Sequence, residues 1–295
     1  MRRTQRDFGS IPRTNDLDSL SFVSRQLGPD AASSGTSLRD HAVQERFLEH
    51  ILSKPRASQV DLDHLVMSVR KLREGVLASG RVDAFAVRVY ETAARICIEA
   101  GHTAELFKSL IHLVRELYPA VPPDSAETQA LMSGCLLLLL VCDVSQAGDP
   151  ERCHGDAREI VQVYSQLPDG VRSSSPVERA MRLLSALVRD IDYVALSRVL
   201  AQAGAVERRL IAGMLARARP RILRILARAY FTIPLGVLLR HLCLDGDGDG
   251  DGGGEDALAQ LLADVLPARP AQTQAGVVAL RAPPGQRARP MKAAA

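Results

Sequence analysis

The residues of this sequence best suited to binding an anionic ligand are arginines that have few acidic neighbours. They are concentrated between positions 208 and 240, and Glu207 is the only acidic residue immediately beside them. The group comprises Arg208, Arg209, Arg217, Arg219, Arg221, Arg224, Arg228 and Arg240.

The spacing of these arginines predicts a basic helix face. A helix is expected to begin after Pro220, and on it Arg221, Arg224 and Arg228 fall within about 60° of one another. The opposite face is predicted to hold Leu223, Leu226 and Tyr230. A row of guanidinium groups favours phosphate contacts, because each offers a fork of donors and keeps its charge. The pattern therefore favours binding of nucleic acid, without base-specific readout. Two other interpretations stay open: a solvated face, and a surface that docks an acidic protein.

The Asp/Gly run at 245–256 has part of the spacing of a calcium loop. However, Asp256 stands where such a loop has a bidentate Glu, and Gly252 stands where an apolar anchor is usual. No second hand accompanies it, and alternating Asp and Gly is typical of low-complexity insertions. We therefore interpret the run as an insertion and expect no bound metal.

Sequence patterns typical of enzymes are missing. The sequence contains no glycine-rich phosphate loop, no G-x-S-x-G and no H-E-x-x-H. The five cysteines show no C-x-x-C spacing, which argues against a zinc site or a disulfide framework. The sequence thus predicts a protein without catalytic residues or cofactors, not an enzyme, in a reducing intracellular compartment.

Composition indicates the elements that must position the arginines. Of the 295 residues 46% are hydrophobic and only 4% aromatic, with no Trp, which favours helices. No apolar run follows Met1, so we expect no signal peptide. The apolar run Cys135–Cys142 is too short for a membrane span and is predicted to be a buried helix.

Two amphipathic helices within residues 82–118 form the clearest structural pattern. Apolar residues recur at steps of three and four in both helices. Gly101 is predicted to be the left-handed C-cap of the first helix, Thr103 the N-cap of the second, and Pro119 its end. Neither helix can bury its apolar face alone, so the pair must stack on neighbours.

Further helices are predicted on both sides of this hairpin, at about 41–52, 58–79, 124–146, 152–166, 176–189, 191–203, 205–218, 220–231 and 234–243. Hairpins follow one another at intervals typical of helical-repeat proteins. The segment 276–281 is the one convincing β-run. We predict a poorly ordered N-terminal segment (1–40), a helical-repeat part (41–218), a winged-helix-like part (219–282) with the 245–256 insertion, and a disordered basic tail (283–295).

Short segments in the same order resemble the Sac-three/GANP/Thp family of PCI-domain scaffolds, of the SAC/GANP/Nin/eIF-three type. In the hairpin, Tyr90, Glu91, Arg95, Gly101 and Tyr118 carry the resemblance. Later matches include Ala186, Tyr193, Leu196, Tyr230 and Pro234. Residues 68–70 match the start of a family segment, but Leu72 and Arg73 depart from its end. The coarse match covers about residues 58–245 and is closest to the short mRNA-processing branch.

The resemblance implies an all-α fold of stacked helical hairpins, a TPR-like PCI solenoid, followed by a small winged-helix-like subdomain. It implies a non-enzymatic scaffold of a nuclear complex in mRNA processing, splicing or export. A second PCI-domain protein, a small acidic Dss-type subunit and RNA are the implied partners, with no membrane and no small-molecule substrate. Arg217, Arg221, Arg224 and Arg228 would contact RNA, whereas the hairpin residues would pack.

Two alternatives stay open from the sequence. In the first, the chain would be a PCI subunit of another assembly, such as a proteasome lid or an initiation-factor complex, and the arginines would contact protein. In the second, it would be a generic helical-repeat adaptor without a winged helix. The expected location is the nucleus, with the cytoplasm as the alternative.

Overall fold

The computed structural model describes Leu17, Leu20 and residues 37–144, 150–187, 191–244, 253–266, 273–274 and 276–280. Helices hold 79% of these residues, which confirms the predicted all-α class at the level of secondary structure. Most of the predicted N-terminal segment (1–40), the basic tail (283–295) and residues 245–252 of the Asp/Gly run lie outside the described residues.

The elements follow one another along the chain with a small sheet near the C-terminal end. The helices are α1 (His41–Ser53), α2 (Gln59–Ala78), α3 (Ala84–Ala100), α4 (Thr103–His112), α5 (Tyr118–Ala120), α6 (Ala126–Val144), α7 (Pro150–Gln166), α8 (Asp169–Arg172), α9 (Ser175–Leu187), α10 (Tyr193–Ala201), α11 (Ala205–Ala229), α12 (Leu235–Leu242) and α13 (Gly253–Val265). The strands are β1 (Thr232–Pro234), β2 (Thr273–Gln274) and β3 (Val277–Ala279). The chain divides into two compact units, one of residues 1–140 with 155–180 and one of residues 141–154 with 181–295.

Side-chain caps fix the starts of the first three helices in the first unit. An Asp40 carboxylate oxygen accepts a hydrogen bond of 2.8 Å from the Ala42 N–H at the start of α1. Ser58 and Asp61 form a capping box at the start of α2. Asp83 accepts from Ala86 N–H over 2.9 Å at the start of α3. These bonds satisfy amide groups that a helix leaves without partners. The predicted starts near 41 and 58, and the start of α3 within the predicted 82–118 hairpin, therefore have a local physical cause.

The hairpin of α3 and α4 has the predicted apolar faces and turn. Gly101 adopts φ 74°, a left-handed conformation that a side chain would strain, and it ends α3 as predicted. The predicted N-cap Thr103 is wrong. Thr103 is already the first residue of α4, and its N–H donates to the Gly101 carbonyl over 3.1 Å. The turn is so short that only Gly101 and His102 separate the two helices.

The second half of this hairpin departs from a regular α-helix. Beyond α4 the chain continues through a π-helical segment, Leu113–Leu117, before the short helix α5. Leu113 and Leu117 remain buried in this segment. The helical path ends at Ala120, one residue after the predicted end at Pro119.

Helix α6 contains the predicted buried apolar run. The window Ala126–Asp143 is the one stretch of the described residues with the length and composition of a membrane span. Buried core helices meet the same two criteria, and 67% of this window is buried within the protein. The prediction of a buried helix at 135–142 is therefore confirmed.

The second unit combines helices with a three-stranded antiparallel sheet. Strand β3 lies between β1 and β2. Ile233 opposes Val278 in the register of β1 and β3, and both side chains are buried. The predicted strand at 276–281 is confirmed as β3, whereas β1 and β2 were not predicted. Each has only two or three residues, too few for a period-two pattern to be recognisable.

Helix α11 overturns the predicted break at Pro220, which separated helices at 205–218 and 220–231. It is one helix of 25 residues with Pro220 inside it. A proline inside a helix costs about 3 kcal/mol. Full burial of one Leu or Ile side chain contributes about 1.5–3 kcal/mol, and Ile211, Leu215, Ile222, Leu223 and Leu226 are all buried along this helix. Apolar burial on both sides of Pro220 therefore outweighs the lost hydrogen bond. The predicted 218/219 domain boundary falls inside the same helix.

Candidate nucleic-acid interface

Four arginines lie along one exposed side of α11. Arg217, Arg221, Arg224 and Arg228 are all exposed, and we call them the arginine stripe. Their spacing of four, three and four residues places them within about 60° on the helix wheel. At 1.5 Å per residue the stripe is about 16 Å long. It includes Arg217 only because α11 passes through Pro220 without a break.

The stripe carries no compensating negative charge on its own helix. No acidic residue occurs in α11 after Glu207. Glu207 is itself buried and accepts a 2.7 Å hydrogen bond from Gly204 N–H at the start of the helix. Within the described part of the chain, neither Arg224 nor Arg228 forms an ion pair. The guanidinium groups of those two residues are therefore oriented by solvent and not by a fixed carboxylate.

Two exposed aromatic residues follow the stripe directly. Tyr230 is 46% exposed and Phe231 is 39% exposed. The prediction that Tyr230 lies with Leu223 and Leu226 on the apolar face is wrong, because α11 ends at Ala229 and Tyr230 adopts an extended conformation. Sequence reasoning missed the pair as a functional feature. The available signal was the order Arg-Ala-Tyr-Phe at the end of a basic helix.

Tyr193 lies near the first of these aromatic residues. Its ring meets the ring of His241 edge-on, with 4.9 Å between the ring centroids. Burial raises the pKa of Tyr193, and the contact with Tyr230 raises it further. Burial also lowers the pKa of His241, and Arg240 lowers it further. Both shifts favour the uncharged forms of Tyr193 and His241, and the two rings contact each other by packing.

Pro234, the other family-motif residue of this unit, ends β1. It lies opposite Val277 in the register of β1 and β3, and both residues face away from the buried side of the sheet. Proline is tolerated at strand ends because it has no N–H to contribute to the ladder.

The hairpin residues singled out in the sequence occupy packing positions in the first unit. Tyr90 is 4% exposed, and its ring lies 4.7 Å from that of His112. Tyr118 donates a hydrogen bond of 3.1 Å to Glu91. Arg95 lies 3.5 Å from the same carboxylate. Burial raises the pKa of Glu91, opposed by the Tyr118 hydrogen bond and the Arg95 charge. These contacts tie α3 to α5.

Two buried cysteines and the possible metal ligands of the described residues were the remaining candidates for chemistry in this structure. Burial raises the pKa of Cys97 to about 11 and that of Cys142 to about 12, so both are thiols at neutral pH. Across the described ranges, no three His, Cys, Asp or Glu side chains come together to hold a metal ion. Gly253–Asp256 of the predicted insertion belong to the first turn of α13, and the rest of that run lies outside the described residues.

No family model matches the chain, and no curated protein matches it either. The resemblance to the Sac-three/GANP/Thp family therefore stays a prediction, based on the residues that suggested it.

Proposed function

We propose that this protein is a non-enzymatic helical scaffold that binds single-stranded RNA along the arginine stripe. The observation that carries the proposal is the stripe itself: four exposed arginines on one side of a continuous helix that has no acidic residue after its first turn. Guanidinium groups in a row contact phosphates without reading bases, because the backbone charge is the same for every sequence.

The exposed aromatic residues favour a single strand over a duplex. Proteins that bind single-stranded nucleic acid combine a basic track with aromatic side chains on which bases stack. Tyr230 and Phe231 follow the last arginine of the stripe and are both exposed. Base stacking on an aromatic ring contributes about 1–3 kcal/mol per base and requires bases that are not already paired. A single strand is therefore the expected ligand.

The order of elements supports a PCI-type scaffold. From α11 onward the chain runs helix, strand, helix, helix, strand, strand, which is the order of a winged helix. Earlier in the chain, α1 packs against α2, α2 against α3, and α3 against α4, as in stacked hairpins. With the resemblance of the hairpin, we infer a nuclear scaffold of mRNA processing, splicing or export that pairs with a second PCI-domain protein and an acidic Dss-type subunit.

The RNA proposal is tested by reversing the charge of the stripe. We expect the R221E/R224E/R228E variant to lose binding of a single-stranded RNA by at least tenfold, measured by fluorescence anisotropy, with helicity unchanged by circular dichroism. Four phosphate contacts predict a slope of log K against log salt of about −2.8, since each contributes about −0.7 on a single strand. In the variant the slope should weaken to about −0.7.

A charge-matched control separates the stripe from net charge. The R39E/R46E/R88E variant changes arginines of the first unit and alters the formal net charge, +3 in the native chain, by the same amount. It should bind RNA within about threefold of the native protein, because none of its phosphate contacts is removed. If both variants lose affinity equally, or if the native protein shows no salt-dependent binding, the stripe is not an RNA interface and a protein partner on it becomes the better interpretation.

The scaffold proposal is tested separately, by affinity purification of the full chain from nuclear extract. Co-purification of a PCI-domain protein supports it. Recovery of proteasome-lid or initiation-factor subunits would instead support the alternative, in which the chain is a PCI subunit of that assembly.

A further inference from the structure

A second basic surface of the same unit lies on the other side of α11. Helices α10, α11 and α12 border a groove of about 470 Å³. Helix α11 contributes four residues to the lining of this groove: Arg208, Ala212, Leu215 and Arg219. On the helix wheel, the mean direction of these four side chains is roughly 180° from that of the arginine stripe. The groove is therefore a separate site that no step of the RNA proposal uses.

Among the residues that the structure describes, four arginines line the groove and no carboxylate does. They are Arg198 on α10, Arg208 and Arg219 on α11, and Arg240 on α12. The other lining residues are Ser197, Leu200, Ala201, Ala212, Leu215 and Cys243. Four like charges around one depression repel one another, so an anion that enters the groove relieves this repulsion as well as forming its own contacts.

One of these arginines is held in place by the backbone. Arg219 donates hydrogen bonds from Nε to the Leu242 carbonyl over 3.0 Å and from Nη2 to the Cys243 carbonyl over 2.8 Å. Those carbonyls belong to the C-terminal end of α12, where a helix leaves such groups without intrahelical partners. Arg219 therefore caps α12 and forms a fixed part of the groove wall, with little side-chain entropy left to lose on binding.

The middle of the groove is apolar. Ala212 and Leu215 lie between Arg208 and Arg219, which are about 16 Å apart along the helix. Leu200 and Ala201 contribute from α10. The small side chains of Ala201 and Ala212 leave the groove open. Positive charge along the groove beside an apolar floor matches a ligand that joins a run of anionic groups to an apolar or ring-shaped body.

We propose that this groove binds a small molecule carrying at least two phosphate groups, with a nucleoside di- or triphosphate as the matching size class. A cavity of 470 Å³ falls within the range of about 300–1,000 Å³ that holds small ligands. Arginine forks match phosphate oxygens in pairs, and a run of two or three phosphates can engage more of the four guanidinium groups than a single phosphate can. Phosphate is favoured over a carboxylate because it offers three acceptor oxygens and about two charges per group.

The test uses the full chain and isothermal titration calorimetry at 150 mM salt, with inorganic tripolyphosphate and magnesium-free ATP as probes. We expect saturable binding at one site per chain, with ATP binding more tightly than tripolyphosphate because its ring contacts the apolar floor. Arg208 and Arg240 are exposed, so their loss should not unfold the protein. R208A and R240A should each weaken binding by at least tenfold, consistent with loss of a charge-assisted hydrogen bond.

Three comparisons decide the outcome. R209A removes the neighbouring exposed arginine, which does not line the groove, and should leave the affinity for ATP within twofold. A flotation assay with vesicles that contain a bisphosphorylated phosphoinositide distinguishes a lipid headgroup from a free ligand. If the native protein floats with these vesicles and R208A does not, the phosphates bound in the groove are those of a lipid headgroup. R208A/R240A should bind RNA normally and R221E/R224E/R228E should bind ATP normally, so each proposal can fail without the other.

The proposal is overturned if neither phosphate probe binds, or if R209A weakens binding as much as R208A. It is also overturned if a poly-glutamate peptide binds the groove more tightly than either phosphate probe, since the occupant would then be an acidic protein segment.

Discussion

A buried ion pair between α2 and α4 predicts a large and specific loss of stability when one partner is removed. Arg73 is 7% exposed, and its guanidinium donates to the carboxylate of Glu105, whose side chain is 13% exposed. The guanidinium also lies 5.9 Å from the centre of the Tyr90 ring. Within the described residues, Arg73 Nε has no hydrogen-bond partner, so Glu105 provides its main compensation. We therefore expect Glu105→Ala to leave a buried, unpaired charge.

The expected magnitude follows from that burial. Removing one partner of a buried ion pair costs about 3–5 kcal/mol, because the remaining charge stays desolvated. Glu105 also contacts Lys108 and lies 3.9 Å from Arg70, but both of those side chains are largely in solvent and contribute little. Whole domains are stable by only about 5–15 kcal/mol. Loss of Glu105 should therefore remove roughly a fifth or more of the stability of the first unit.

The assay must report on the unit that contains the pair, because a chain with two compact units need not unfold in one step. Urea unfolding gives the total change, and amide hydrogen exchange in α2, α3 and α4 assigns it. The matched control is Glu99→Ala, which removes an ion pair with Arg56 at 2.8 Å whose side chains are 34% and 43% exposed. That control should cost less than about 1 kcal/mol.

Replacing both partners tests the reasoning more sharply than removing one. Arg73→Met together with Glu105→Leu should recover most of the stability that Glu105→Ala loses, since apolar residues of similar size need no compensating charge. A cost below about 1 kcal/mol for Glu105→Ala, or a double variant no better than the single one, would refute the argument that an uncompensated charge is the cause.

Three further predictions concern Gly134 in the first unit, Gly213 in the second unit and the pH dependence of Glu105. Gly134→Ala should destabilise the protein by about 1–3 kcal/mol, because a Cβ there would lie 2.6 Å from the Pro176 Cβ. Gly213→Ala in α11 meets no atom within 4 Å and should stabilise by up to about 1 kcal/mol, as thermal unfolding of the two variants will show. Burial by itself raises the pKa of Glu105, but the Lys108 hydrogen bond and the charges of Arg73, Lys108 and Arg70 outweigh it, so its pKa lies below the ordinary value. The stabilisation that ionised Glu105 provides is therefore complete above its unfolded pKa of about 4.3 and is lost as pH falls through the lower folded pKa. The difference in stability between the native protein and Glu105→Gln should accordingly shrink in acid. A difference that grows in acid would contradict the lowered pKa of Glu105.

The features that the sequence predicted well are those with strong local causes. The left-handed turn at Gly101 follows from one residue type and its position after an apolar periodic run. The starts of α1, α2 and α3 follow from Asp40, Ser58 and Asp83, each of which accepts hydrogen bonds from the first turn. In these places the information lies within four residues of the feature, so tertiary context is not needed.

The features that the sequence missed depend on contacts between distant residues. Pro220 is a local signal to end a helix, yet burial of apolar residues on both sides of it keeps α11 continuous. The residues of β1 show no strand pattern by themselves and become a strand only by pairing with β3, more than forty residues later. The groove arginines are missed for the same reason: Arg198, Arg219 and Arg240 lie on three helices, and only the fold brings them to one cavity.

The continuity of α11 links the two basic surfaces of this unit. If the chain broke at Pro220, Arg217 would leave the direction of Arg221, and Arg208 would have no fixed relation to Arg228. In one helix, a stripe of arginines occupies one side and a basic groove the opposite side, with the buried apolar residues between them. Placing so much positive charge on one element is costly without anions to offset it. Arg219 caps another helix from its place in the groove, so both proposed ligands, RNA and a polyphosphate, depend on the continuity of this one helix.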